Sequence, residues 1–158
     1  MRAITIWRPW ANWIALWLKT WETRTHKRLE CLVGERIAIH AAKRYDADAG
    51  DLVAACVWGC DRREGRIPFN CTIALAAGRY VNRKEYETGI VAVASAIEFR
   101  KLTIEDAPAA LCPTDGLWGL RLDRIKRIEP AIPCRGAQGI WNVPPDVEAT
   151  VRRMESRS

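Results

Sequence analysis

"WRPWANWIALWLKTWETR", residues 7–24, carries five of the chain's eight tryptophans and turns within a few positions into Lys19, Glu22 and Arg24. Such a stretch can be a membrane segment, a hydrophobic helix packed in a core, or one wall of a binding site. Its longest charge-free run, Pro9 to Leu18, covers about half of the roughly 20 residues a spanning helix needs. Arg8 and Pro9 interrupt the start, and no small-residue cleavage site precedes the charges. A soluble, cytoplasmic protein with no membrane partner is expected. Pro9 suits the first turn of a helix, where its missing N–H matters least. Trp10, Trp13, Ile14, Trp17 and, if the helix is long enough, Trp21 then share one helical face. That face is most simply core.

Outward from this stretch, short elements follow one another. "AITIW", residues 3–7, alternates as a strand, and "GERIAIHAA", residues 34–42, is a turn glycine followed by a strand with Ile37, Ile39 and Ala41 on one side. Asp46 or Asp48 caps a helix whose stripe is Leu52, Val53, Cys56, Val57 and Cys60. Residues 61–88 read as an elaboration. "GIVAVASAIEF", residues 89–99, is a strand with Val91, Val93, Ser95, Ile97 and Phe99 on one side; "LTIEDAP" is a short helical turn. Two short strands are expected around Asp123–Arg124 and a final one in "GAQGIWNV", residues 136–143. Pro144–Pro145 then lead into a charged tail with a short amphipathic helix through Val147, Val151 and Met154. Several short strands with a few helices predict an α+β fold, a small mixed β-barrel with flanking helices.

A chain of 158 residues that is 49% hydrophobic suits one domain, since two cores at half this length would each be marginal. We assign residues 1–144 to that domain and 145–158 to the tail. The net charge of +6 favours polyanionic partners without bearing on fold. Six cysteines include no C-x-x-C pair. Cys56 and Cys60 share a helix face, but zinc sites show tighter paired spacings, and small apolar core residues are the simpler reading. No metal and no cofactor are expected.

A family resemblance enters with three ordered segments. "ITIWRPWANWIALWLKTWETR", "RIAIHAAK" and "WGLRLDRIKRIEPAIPCRGAQGIW" together resemble the ASCH domain family, relatives of the PUA RNA-binding fold. Lys19, Glu22 and Arg24 occupy the charged positions of that family's G-x-K-x-x-E-x-R signature, and Pro9–Trp10–Ala11 is similar to its Q-P-W-A segment. Trp17 stands where the signature has glycine, and Arg8 where glutamine is usual. A glycine there would suit a left-handed helix end, so either the helix runs past Trp17 or it ends with another geometry. In one continuous helix Arg24 would point away from Lys19 and Glu22; in one continuous strand Lys19 would oppose the other two. All three line one cleft only if a helix ends and a strand begins near Lys19, the arrangement the resemblance implies.

The resemblance implies an RNA- or nucleotide-binding module. Arg24 would meet phosphate or a base edge, and Lys19 phosphate or a proton. Trp10 would offer a stacking face, with Trp13 and Trp17 in the core. Glu22 between two cations is equally a structural ion-pair network. Lys27 and Arg28, in "RTHKR", add positive charge. His40 is a core histidine or a ligand contact, and Arg135 and Gln138 belong to a glycine turn whose backbone can approach phosphate. The alternative is an RNA-processing hydrolase using Lys19 and Glu22, because relatives include ribonucleases and an amidohydrolase acting on N4-acetylcytidine. In the amidohydrolase the signature lysine works with a threonine and a glutamate. Here Glu22 stands at the threonine's position, and neighbouring Thr23 points to the opposite strand face. A protein-interaction role through exposed tryptophans is the third reading.

Overall fold

Alternating Ile4, Ile6 and their neighbours favour an extended chain, and Arg2–Arg8 form strand β1. In the computed structural model, residues 1–51 and 86–156 are described. After β1 come helix α1 (Trp10–Ala15), β2 (Trp21–Arg24) and β3 (Arg36–Tyr45). The later elements are β4 (Gly89–Lys101), a short helix α2 (Ala107–Ala110), β5 (Trp118–Ile132), β6 (Ile140–Asn142) and helix α3 (Pro145–Ser156). The expected stripe from Leu52 to Cys60 and nearly all of the elaboration at 61–88 lie outside the described residues.

The strands form one mixed six-stranded sheet, in the order β2-β5-β4-β3-β1-β6, that curls into a half-barrel. Only β1 and β3 pair in parallel; the other neighbours are antiparallel. The sheet buries side chains on both faces, because odd and even positions of its central strands are both apolar. Ile4, Ile6, Ile37 and Ile39 join Ile14 of α1 in one core cluster. Ala3, Ala38, Ile90, Val93 and Ile128 join Val151 of α3 in another. The α+β class and the strand through Ile37, Ile39 and Ala41 thus agree with expectation.

Three local expectations differ. The helix after Pro9 stops at Ala15, so the tryptophan stripe is shorter than its spacing suggests: Trp17 is 48% exposed, and Trp21 is buried on β2. The segment around Asp123–Arg124 is one long strand, β5, because the left-handed Arg124 (φ 45°) is absorbed within its pairing to β4 instead of turning the chain. On β4, register shifts at Ile90/Ala92, Val93/Ser95 and Ala96/Glu98 break strict alternation. Ile90 through Ala94 are all buried, while Ile97 is exposed. The helical turn expected in "LTIEDAP" forms a 3-10 turn at Ile104–Asp106 leading into α2.

Candidate functional site

The end of α1 decides where Lys19 goes. Trp17 takes the left-handed conformation (φ 60°) that glycine would supply, and the chain closes with two bonds. Leu18 N–H donates to the Trp13 carbonyl at 2.9 Å and Trp17 N–H to the Ile14 carbonyl at 2.9 Å. This is the Schellman closure with a tryptophan in the glycine place. The chain leaves the helix sharply there and re-enters the sheet as β2, held by Leu122 N–H on the Thr20 carbonyl at 2.8 Å. Lys19 lies in the short connection, so Lys19, Glu22 and Arg24 all face one cavity of about 420 Å³.

Lys19 is only 2% exposed. Burying an ammonium is costly unless it is hydrogen-bonded. Its Nζ donates to the Ala110 carbonyl at the end of α2 (2.7 Å) and lies 5.3 Å from the centre of the Trp10 ring. The α2 carbonyl is held in place from the preceding turn. Asp106 accepts from Arg100 through both oxygens, at 2.8 and 2.7 Å, and its Oδ2 also accepts from Thr103 N–H. The Arg100 guanidinium accordingly keeps the Asp106 carboxyl below its ordinary range. Glu22, 4% exposed, meets Arg24 Nη2 at 2.8 Å. Arg24 is more accessible than Glu22, so its guanidinium forms part of the cavity mouth while the carboxylate sits deeper.

Trp10 lines the same cavity, but much of its ring is engaged. Its Nε1 donates to Asp46 Oδ2 at 2.8 Å, and Trp13 stands edge-on with ring centres 5.0 Å apart. Trp13 is fully buried and Trp17 is not, so only the first of these two tryptophans is core. Thr23 Oγ1 lies 3.6 Å from Cys112 Sγ, and Cys112 packs against Trp21. Strand alternation turns Thr23 away from Glu22, yet Thr23 and Cys112 both line the smaller cavity. Gly119 leaves room for Trp21: a Cβ there would come within 2.8 Å of the indole.

A second, larger cavity of about 1420 Å³ adjoins the first and shares Thr5, Trp7 and Arg24 with it. Its walls carry Arg24, Arg28, Lys43 and Arg135, and no carboxylate among the described residues. Gln138 and the backbone of Gly136 and Gly139 border it. The floor includes His40, opposite Thr5 across the β1–β3 pair. His40 Nε2 is 3.2 Å from the Cys134 carbonyl, its Nδ1 is buried without a partner among the described residues, and Trp141 stands edge-on to the ring. This assigns the proton to Nε2 and leaves Nδ1 as a bare acceptor. Burial holds the imidazole below its ordinary pKa, against the pull of the Cys134 carbonyl. Gly136 has no side chain because a Cβ would run into the His40 ring.

The structure therefore gathers Trp10, Lys19, Glu22 and Arg24 around the smaller cavity, and Arg24, Arg28, His40, Arg135 and Gln138 around the larger. Lys27 belongs to neither; its Nζ lies 4.3 Å over the Trp118 ring. Sequence reasoning passed over Trp7, Lys43 and Cys112. Trp7 was legible only in part: it alternates with Ile6 and so lies on the other face of β1 from that core residue, a face that the sheet also buries in places. Among the described residues no group of three or more His, Cys, Asp or Glu side chains is placed to hold a metal ion, and no helix is long and apolar enough to cross a membrane. Compared with protein-family models and with curated proteins, the sequence matches none.

Proposed function

We propose that the half-barrel is an ASCH-type, PUA-like fold that binds RNA or a nucleotide through the cleft around Lys19, Glu22 and Arg24. One observation carries the reading. A small cavity walled by an indole, an ammonium, the carboxylates of Glu22 and Asp46 and a guanidinium opens past Arg24 into a groove whose charged lining, among the described residues, is cationic. A base has polar edges and π faces for the first, and a phosphate backbone suits the second. Glu22 gives the smaller cavity an acceptor that a purely phosphate-binding pocket would lack; it suits an exocyclic amine or ring N–H of a base. The signature lysine, glutamate and arginine add the resemblance stated above.

Titration of the protein with a fluorescent single-stranded RNA across a range of salt concentrations tests this. Affinity should fall with salt at a log–log slope of about 0.7 per phosphate neutralised, and a slope near zero would count against the reading. The same RNA incubated with the protein in chelator should stay intact. Cleavage that disappears in a folded Lys19→Ala variant would favour the hydrolase instead, as would release of acetate from N4-acetylcytidine.

A further inference from the structure

Trp7 is the residue the cleft leaves unexplained. It is 43% exposed, an unusual placement for the largest apolar side chain, and it stands where the two cavities meet. Over its ring lies Arg44 of β3, whose guanidinium carbon is 3.7 Å from the ring centre. Trp10, by contrast, is held by Asp46, Trp13 and Lys19. Trp7 therefore offers the more accessible π surface of the two.

The sizes of the cavities also bear on what fills them. The smaller, at about 420 Å³, lies within the roughly 300–1,000 Å³ of small-ligand sites. The larger, at about 1420 Å³, exceeds that range, and its lining includes both Arg28 and Arg135. Among the described residues, Arg28, Lys43 and Arg135 form no salt bridge. Cationic walls running beside an exposed aromatic ring are the two components of single-strand recognition: the charges follow the phosphates and the ring takes a base face.

We propose that Trp7 is a base-stacking platform joining the two cavities, and that the ligand is a single-stranded RNA of several nucleotides rather than a free nucleotide. This rests on the nucleotide-binding reading of the cleft. One base enters the pocket of Lys19, Glu22 and Arg24, the next stacks on Trp7, and the following phosphates run along Arg28, Lys43 and Arg135. Arg44, against the indole, adds a cation beside the stacked base.

The test is a length series: adenosine monophosphate and oligoadenylates of two, four and six nucleotides, titrated against the full chain and against Trp7→Ala and Trp7→Phe. Affinity should climb with length in the unaltered protein. Trp7→Ala should weaken the longest oligomer by about 5- to 100-fold, and Trp7→Phe should restore most of the loss. If the monophosphate binds as tightly as the six-nucleotide strand, the cleft reading stands and the platform is refuted. Trp7→Ala binding the long strand like the unaltered protein refutes it too. If no member of the series binds, the cleft reading fails and the platform with it. The series on the unaltered protein and the Trp7→Phe variant keep the test decisive should Trp7→Ala fold poorly.

Discussion

At Trp17 a single φ angle connects backbone strain to the site. A residue with a Cβ in the left-handed region costs about 1–2 kcal/mol relative to its preferred conformations, and Trp17 recovers little of this by burial because it is nearly half exposed. Trp17→Gly should therefore be more stable than Trp17→Ala by about 1 kcal/mol in urea unfolding, since alanine keeps the Cβ and glycine does not. Equal midpoints for the two variants would show that the helix end is not strained. The same residue shows the limit of periodicity. Spacings of three and four placed Trp17 and Trp21 on the helix, because periodicity counts positions and does not detect where a chain changes conformation. The two outcomes expected at Trp17, a helix running past it or an end of another geometry, both fail: α1 stops at Ala15, and Trp17 itself takes the left-handed conformation that brings the chain to β2. Trp7 and Lys43 were missed for a different reason: the motif drew attention to its own positions, while these two enter the cleft only through strand pairing.

At the scale of the element, α3 shows how a charged segment becomes part of the core. Its sequence is mostly polar, yet Val151 is fully buried among Ala3, Ala38, Ile90, Val93 and Ile128. Its ends are fastened electrostatically: Glu148 pairs with the terminal ammonium of Met1, and Glu155 with Arg36 at 2.6 Å. Val151→Ala removes two methyl groups and should cost about 2 kcal/mol, combining lost transfer energy with a small cavity. A thermal melt would measure it, and an unchanged transition would mean that α3 contributes little to the fold. The amphipathic stripe of Val147, Val151 and Met154 was legible from spacing. Its docking partner was not, because Ala3 and Ala38 belong to strands more than a hundred residues earlier in the chain.

For the whole molecule, pH stability joins distant parts of the sheet. His40 is held below its ordinary value near 6.5, chiefly by burial, whereas the unfolded chain carries an ordinary imidazole. As pH falls below 6.5 the unfolded state takes up a proton that the folded state resists, so stability falls; above that value the effect is absent. The loss is about 1.4 kcal/mol for each pH unit over which only the unfolded chain is protonated. The depressed carboxyls of Asp106, Glu35 and Glu148 act only in more acidic solution. Urea midpoints taken between pH 7.5 and 5 should decline for the natural sequence and much less for His40→Gln, which has an amide suited to the Cys134 carbonyl but cannot titrate. Parallel declines would assign the effect elsewhere.

The pairing of β2 has a kinetic consequence. This four-residue strand holds Glu22 and Arg24, and among the described residues its sole partner in the sheet is β5, through contacts such as Glu22 with Leu120. About a hundred residues separate the two strands in the chain, and closing so long a loop has an entropic cost that must be met before the contacts form. The β4–β5 pair, much closer in sequence, is free to form first and present an edge. The cleft is therefore expected to form late, and a conservative truncation on β2 should speed unfolding while leaving the folding rate nearly unchanged.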